Sequence, residues 1–211
     1  WLGGMGIIVL AVAVLPLLGV GGMELYHAES SGIAKDRLTP KLRNTAIALW
    51  KIYLSLTVLC ALGYFLSGMT IFDAVSHSFS TVAIGGFSTH DASIGYFNSI
   101  SIEMVAMFFM FLAGINFSLH FLAWNNKSLI DYIKDSEFKT YAMVLFASSV
   151  IVIIALGLNS EYVSLIETIR HSLFQTISIA TTTGYTSQSF SSWPAAIPVF
   201  LIMMSFIGAC V

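Results

Sequence analysis

The stretch Ser80–Phe97, STVAIGGFSTHDASIGYF, places a polar segment with two adjacent glycines inside a very apolar chain. The chain has 211 residues, of which 57% are hydrophobic and 9% charged, whereas a soluble domain carries about 25% charged residues. The composition therefore indicates an integral membrane protein. Irregular backbone at membrane depth is tolerated only where it is buried in protein or lines a water-filled cavity. The segment therefore points to a pathway through the membrane.

Several uncharged runs are long enough to cross a bilayer, which takes about 20 residues. They cover residues 1–23, 52–72, 104–126 and 140–160, with a further apolar run from about residue 195. The chain begins and stops inside such runs, so we expect it to be an internal piece of a longer protein.

Basic residues predict the topology of these runs. Seven of the nine lysines and arginines lie in two connections: Lys35, Arg37, Lys41 and Arg43 in one, Lys127, Lys134 and Lys139 in the other. The positive-inside rule places both connections in the cytoplasm, so the chain between them crosses an even number of times. Spans over 45–67 and 98–122 supply two crossings. The apolar patch 71–84, ~21 Å as a helix, is too short for another.

The parity of crossings therefore predicts a re-entrant half-helix and a loop that returns to the outside. The alternative is a plain extracellular hairpin that carries a short surface helix.

The pattern of apolar patch and polar loop occurs twice, at an offset of 98 residues. The matched pairs are Gly86 with Gly184, Phe87 with Tyr185, Ser88 with Thr186 and Ser80 with Ser178. Repeats of this size mark membrane proteins built from symmetry-related units around a shared site. Both copies have the same orientation in the membrane, so the symmetry axis that relates them should run along the membrane normal, as in a pore.

The predicted fold is all-α transmembrane, with repeated units of helix, re-entrant half-helix with loop, and helix. A desolvated cation can be coordinated by rings of backbone carbonyls, which requires positive φ at some positions and so favours glycine. The half-helices should end near Ala83 and Ala180, with the negative ends of their dipoles toward the ion. The predicted filter residues, which would bind the cation through their carbonyls, are Ile84, Gly85, Gly86, Phe87, Thr182, Thr183, Gly184 and Tyr185.

Charged and titratable residues outside these loops give weaker signals. An acidic mouth concentrates cations, and the predicted outer vestibule consists of Asp73, Asp91, Glu161 and Glu167; the alternative is solvated loop charges without a role. Glu103 lies early in a span, where an ionisable residue indicates a function by default; the alternative is that Glu103, near the outer end, simply reaches water. The five histidines lack metal-ligand spacing, so no transition-metal site is expected. Because His77 and His171 lie at unequal distances from the glycines, no shared role is expected, and no basic cluster indicates nucleic acid.

Two filter-like stretches carry a family likeness. TVAIGGFSTHDASIGYF and ATTTGYTSQSFSSWP resemble the second and third filter segments of the Trk/Ktr/HKT superfamily of potassium transporters, and WLGGMGIIVLAVAVLP (residues 1–16) resembles the closing helix of that family's first unit. The ending HDASIGYF is most similar to the bacterial Trk-type membrane subunit. The likeness covers essentially the whole chain.

The resemblance implies four units around one pore in a single parent chain, located in the bacterial inner membrane. It implies a homodimer and a cytosolic ring of nucleotide-binding regulatory subunits near the basic connections. The segment FIGAC matches the start of an intramembrane gate loop, which would include Gly208, Ala209 and Cys210; on spacing alone, ordinary helix packing is an equal alternative. Potassium is the implied cargo, with no covalent cofactor and no enzymatic step, and coupling to Na⁺ or H⁺ stays open.

The expected organisation divides the chain into five parts. These are a closing helix of a preceding unit (1–22), a cytoplasmic connection (23–44), a complete unit (45–122), a second cytoplasmic connection (123–139) and a unit truncated in its last helix (140–211). One rival hypothesis is a secondary transporter whose discontinuous helices bind a small organic solute, with helix N-termini and basic residues at the site. Another is a membrane-embedded enzyme, for which no suitable His and carboxylate spacing is present.

Overall fold

A computed structural model describes residues 1–2, 42–159, 164–190 and 193–206. Every regular element in these ranges is helical, which confirms the all-α prediction. The predicted parts 1–22 and 23–44 fall almost wholly outside the described residues, as do Glu161 and the predicted gate residues Gly208, Ala209 and Cys210. The α-helices are α1 (Leu42–Leu66), α2 (Ile71–Val82), α3 (Ile100–Ala113), α4 (Phe117–Asn126), α5 (Ile130–Lys134), α6 (Ser136–Leu158), α7 (Leu165–Ala180) and α8 (Ala196–Ser205).

Two described helices are long and apolar enough to cross a membrane. They are Ile47–Leu66 within α1, with 20 residues, and α6, with 23. The pair α3 and α4 meets the same criteria only when counted as one bent span, which raises the number to three. Large apolar side chains such as Leu62 on α1 and Ile154 on α6 are exposed. This distribution suits helices whose outer faces lie in lipid.

The span predicted over 98–122 is not one continuous helix, because α3 and α4 meet at an angle of 90°. Gly114 ends α3, and a Cβ there would collide with the hydroxyl of Tyr141. The Asn116 side chain then caps α4 by accepting a hydrogen bond from the backbone N–H two residues later, at 2.9 Å. Carbonyls freed at the end of α3 accept hydrogen bonds from Tyr141 at 3.1 Å and from the His120 ring at 3.0 Å. The break is thus fully capped, as buried backbone requires.

The two predicted half-helices are present as α2 and α7. They have 12 and 16 residues, or about 18 and 24 Å, which is short of the ~30 Å hydrocarbon layer. Thr70 caps the start of α2 and Ser164 that of α7. Their C-caps are Ala83 and Thr181, which confirms the predicted ends. Helix α2 packs between α1 and α3, whereas α7 packs against α3, α6 and α8.

One hydrophobic core joins the two repeats. It contains Tyr64 from α1 and Met110 from α3, together with Phe174 and Tyr185 from the second repeat. The second half-helix and its loop are therefore packed into the first unit, which brings the two predicted filter segments to one place.

Candidate functional site

The backbone of both predicted filter loops alternates between left-handed and right-handed conformations. Positive φ occurs at Ile84 (53°) and Gly86 (65°), and again at Thr182 (61°) and Gly184 (84°), while the residues between them have negative φ. Alternation of this kind turns successive N–H groups to one side of the chain and so turns the carbonyls to the other. Both loops therefore have the alternating sign of φ that such an arrangement requires.

Two of the four left-handed residues are not glycines. Ile84 and Thr182 hold an identical place in the repeat, although the left-handed region costs a side-chain-bearing residue about 1–2 kcal/mol. A backbone hydrogen bond ties each loop to its half-helix. The N–H of Gly85 donates to the Ser80 carbonyl at 2.7 Å, and the N–H of Gly184 donates to the Ser178 carbonyl at 3.1 Å. Strain that recurs at equivalent positions points to a functional constraint.

The two loops touch through their backbones. At Gly86 a Cβ would collide with the carbonyl oxygen of Thr183 in the other loop. At Gly184 the same atom would meet nothing within 4 Å. Glycine is therefore needed at position 86 for two reasons, its positive φ and the close approach of the second loop. At position 184 the described contacts leave only the positive φ as a reason.

Each half-helix holds its own loop through two side chains one turn apart. On α2, Asp73 accepts a hydrogen bond from the Thr89 hydroxyl at 2.6 Å, and His77 is hydrogen-bonded to Ser88 at 2.9 Å. On α7 the anchoring side chains are His171, 3.1 Å from the Ser187 hydroxyl, and Gln175, which donates to the Gln188 carbonyl at 2.8 Å.

These anchors occupy the same register, because Asp73 matches His171 and His77 matches Gln175 at the 98-residue offset. The expectation that the two histidines share no role needs correction: both hold the loop that follows the glycine, from positions one helical turn apart. Sequence reasoning missed this because it compared histidine with histidine. The signal was the i, i+4 spacing of polar residues on each half-helix.

The aromatic residues after the two glycines have opposite surroundings. Tyr185 is fully buried, and its hydroxyl contacts the Thr81 hydroxyl at 3.3 Å and the His77 carbonyl at 3.2 Å, both on α2. Phe87 is 82% exposed. The second loop thus inserts its aromatic ring into the first unit, and the first loop has no such pocket within the described ranges.

The loops also meet further from the half-helices. Ser93–Phe97 forms a 3-10 helix, whose Gly95 N–H donates to the Thr186 carbonyl at 3.0 Å. The Thr186 N–H donates in return to the Ser93 hydroxyl at 3.2 Å. This reciprocal contact fixes the segment after the second glycine against the segment after the first.

The predicted vestibule acids differ in exposure. Asp91 and Glu167 are exposed, whereas Asp73 is only 7% exposed and bonded to Thr70 and Thr89. Those two hydroxyls, Thr89 foremost, lower the pKa of the Asp73 carboxyl. The expectation that Asp73 faces the outer solution therefore needs correction, because its carboxylate anchors the loop.

The alternative that Glu103 simply reaches water is wrong. Its carboxylate is 1% exposed and accepts two hydrogen bonds from Arg170, at 2.6 and 2.7 Å. The sequence alone gave no means of pairing these two residues across 67 positions.

A cavity of about 340 Å³ adjoins the C-terminal end of α7 on the side away from the outer loops. Its lining is mainly apolar and includes Asn116 at the bend, Tyr141, Ala180 and Met204. Within the described ranges, no three His, Cys, Asp or Glu side chains are grouped so as to hold a metal ion.

Fold and site together define an all-helical membrane protein with a repeated arrangement of helix, half-helix and loop. The sequence profile of the TrkH family, described as a cation transport protein, matches residues 1–211. The chain therefore belongs to the TrkH family of cation transport proteins.

Individual relatives agree with this assignment. The chain is 52% identical over 211 residues to the Trk system potassium uptake protein TrkH of Halomonas elongata, and 50% identical to that of Escherichia coli K12. Each comparison covers 100% of this chain and 44% of the relative. The crystal structure of the potassium transporter TrkH from Vibrio parahaemolyticus superposes with a TM-score of 0.81 at 46% identity, over 98% of this chain and 41% of that one. The chain thus spans less than half the length of these relatives.

Proposed function

We propose that the chain supplies two adjacent units of a potassium-uptake pore in the bacterial inner membrane. The observation that carries this proposal is the pair of loops with alternating φ, which recur at a 98-residue offset and meet backbone to backbone. Relatives that match the whole chain are named potassium uptake proteins. No bond is made or broken in the proposed activity.

In this proposal K⁺ exchanges its hydration shell for carbonyl oxygens of the two loops. The filter segments are 84–87 and 182–185, and both follow the C-terminal end of a half-helix. A helix C-terminus carries a partial negative charge, which favours a cation at the loop. Exposed Asp91 and Glu167 would raise the local cation concentration at the outer mouth, and Glu161 is proposed to join them.

A carrier for a small organic solute fits the described contacts less well. Such a carrier places helix N-termini toward an anionic group of its substrate. Here the C-terminal ends of α2 and α7 adjoin the site. The nearby Arg170 is held by Glu103 and so is not available to a substrate anion.

The remaining parts of the proposal concern the parent protein. The predicted units 45–122 and 140–211 would be the second and third of four around one pore, with the basic connections in the cytoplasm. The gate loop would begin near Gly208, Ala209 and Cys210, after α8. A homodimer and a cytosolic ring of nucleotide-binding subunits complete the proposed assembly, and K⁺ flux is coupled to Na⁺ or H⁺ or driven by its own gradient.

The test is ion flux through the full-length parent protein in liposomes. The wild type should take up K⁺ or Rb⁺ in preference to Na⁺. Gly86→Val should abolish the preference, because its side chain cannot share space with the Thr183 carbonyl and its φ is 65°. Gly157→Ala is the matched control, since a Cβ at Gly157 meets nothing within 4 Å. Selective K⁺ flux through the Gly86→Val variant would refute the filter assignment.

A further inference from the structure

The Glu103–Arg170 ion pair joins two units and has unusually complete geometry. Glu103 lies in the first turn of α3, and Arg170 lies in the second half-helix, α7. Arg170 Nε donates to one carboxylate oxygen at 2.6 Å and Nη2 donates to the other at 2.7 Å. Such two-point contacts fix orientation as well as distance. The pair therefore sets both the separation and the rotation of α7 relative to α3.

The ion pair acts on the half-helix that carries the second filter segment. The next residue, His171, is the one whose ring lies 3.1 Å from the Ser187 hydroxyl in the loop after Gly184. On the other side of that loop, Thr186 exchanges hydrogen bonds with Ser93 and Gly95 of the first unit. The second half-helix and its loop are thus attached to the first unit through the ion pair, through the Thr186 contact and through the Tyr185 hydroxyl on α2.

The repeat does not reproduce this ion pair. At the 98-residue offset Arg170 corresponds to Phe72, which is 72% exposed. Because α3 and α8 begin 96 residues apart, at Ile100 and Ala196, Glu103 corresponds to Val199, which is 56% exposed. Both counterparts are apolar and lie on faces without a described neighbour. An ion pair is therefore part of the boundary between these two units, whereas the matching positions toward any further units are apolar.

The energetics of buried ion pairs indicate that the Glu103–Arg170 pair positions α7 relative to α3 rather than adding net stability. A buried ion pair gives little or no net stability compared with apolar side chains of similar size, because desolvation offsets the attraction. Breaking it by removing one partner is strongly destabilising. Two apolar side chains in contact, of the kind found at the counterpart positions Phe72 and Val199, would stabilise the boundary between the units equally well. What two apolar side chains do not provide is a fixed angle and register.

We propose that the Glu103–Arg170 pair is a positioning and selectivity-determining element, which holds the second filter segment at the correct distance from the first. This inference rests on the proposed potassium pore. Selectivity of a carbonyl filter depends on the size of the cavity that its oxygen ligands form or on their number and field strength, and both change when one segment moves relative to the other. A loosened boundary should therefore reduce discrimination between K⁺ and Na⁺ before it reduces the amount of folded protein.

The test uses the full-length parent protein with both charges replaced, Glu103→Met with Arg170→Met. This variant keeps the net charge and leaves no unpaired buried ion. We expect wild-type yield and thermal stability, with the K⁺/Na⁺ flux ratio reduced about tenfold, within the range of indirect couplings. Exchanging the partners, Glu103→Arg with Arg170→Glu, should recover part of the ratio. Lys51→Met, an exposed site on α1, is the control and should leave the ratio unchanged.

Hydrogen exchange supplies a readout that does not need transport. In the double-methionine variant, exchange should rise in peptides that cover the loops after Gly86 and Gly184, and stay unchanged in α1. A folded variant with wild-type flux ratio and wild-type loop exchange overturns the positioning role. A wild-type protein that shows no preference for K⁺ overturns the proposed function instead, and the exchange result then still decides whether the pair positions the loops.

Discussion

The two filter loops share one backbone conformation but not one environment. Both have positive φ at the glycine and two residues before it. Yet Gly86 is crowded by Thr183 while Gly184 is open, and Tyr185 is buried while Phe87 is 82% exposed. The comparison teaches that the conformation belongs to each repeat, whereas the packing belongs to the boundary between repeats.

The direction of the difference is informative. The second loop packs onto the first unit, so its aromatic ring has a pocket and its backbone has a neighbour. In a four-unit ring, every loop would pack onto the unit before it. The exposed face of the first loop and the open side of the second are then the surfaces where further units belong. The full-length protein should therefore remove most of this asymmetry.

The largest effect should come from the glycines. Gly86→Ala introduces a Cβ into the Thr183 carbonyl and also pays the left-handed penalty of about 1–2 kcal/mol. In the full-length protein we expect Gly184→Ala to be equally harmful, because a following unit would approach it as the second loop approaches Gly86. Potassium-limited growth of a transport-deficient host measures both. Near-normal growth with Gly184→Ala alone would show that no unit closes against that side.

The next effect concerns the aromatic residues. Tyr185→Ala removes a fully buried ring and should lower stability by about 3–5 kcal/mol. Phe87→Ala would cost little on the described contacts, since substitutions at exposed sites change stability by about 0.5 kcal/mol or less. In the full-length protein it should cost as much as Tyr185→Ala, because the ring would enter the preceding unit. Thermal unfolding in detergent decides between the two values.

The smallest expected effect is the dependence of stability on pH. It should also be present in the full-length protein, because it depends on the loop anchors Asp73 and His171. Hydrogen bonds lower the pKa of Asp73 below 3.8, so its contribution is complete above that pH and lost only in stronger acid. Burial lowers the pKa of His171 below 6.5, so its contribution is complete above pH 6.5 and lost as the pH falls through the lowered value. Burial lowers the pKa of His77 below 6.5 as well, so mild acid should weaken the histidine anchor of each loop, whereas the Asp73 anchor of the first loop should be lost only in stronger acid.

Thermal unfolding at pH 7.5 and 5.5 checks this order. Wild-type stability should fall between the two pH values, and the fall should be smaller in His171→Gln. Asp73→Asn should lower the free energy of unfolding by about 1–2 kcal/mol at both pH values. The difference in stability between this variant and the wild type should narrow only below about pH 4. A fall between pH 7.5 and 5.5 that His171→Gln does not reduce would contradict the assignment.

Much of the local architecture could be predicted from the sequence. The length of the apolar patch and the placement of basic residues predicted the half-helix α2, and the repeat extended that prediction to α7. Glycine at equivalent positions predicted positive φ at Gly86 and Gly184. These features depend on hydropathy, length and backbone sterics, which act within about 20 residues.

The bend between α3 and α4 was missed, although its local signal was present. Gly114 and Asn116 are a helix terminator and a helix cap within an apolar run. In the middle of a span such residues are often tolerated, so they predict a break only when partners satisfy the freed carbonyls. Those partners are the side chains of His120 and Tyr141, and the latter lies 30 residues away along the chain.

By itself the sequence determined the membrane location, the two half-helices and the left-handed glycines, because hydropathy and steric limits are properties of short segments. Only the tertiary structure decided that Glu103 pairs with Arg170, that Asp73 is an anchor and that Tyr185 enters the first unit. The physical reason is that these contacts join surfaces up to 108 residues apart. Which surfaces meet depends on how the two units pack against each other.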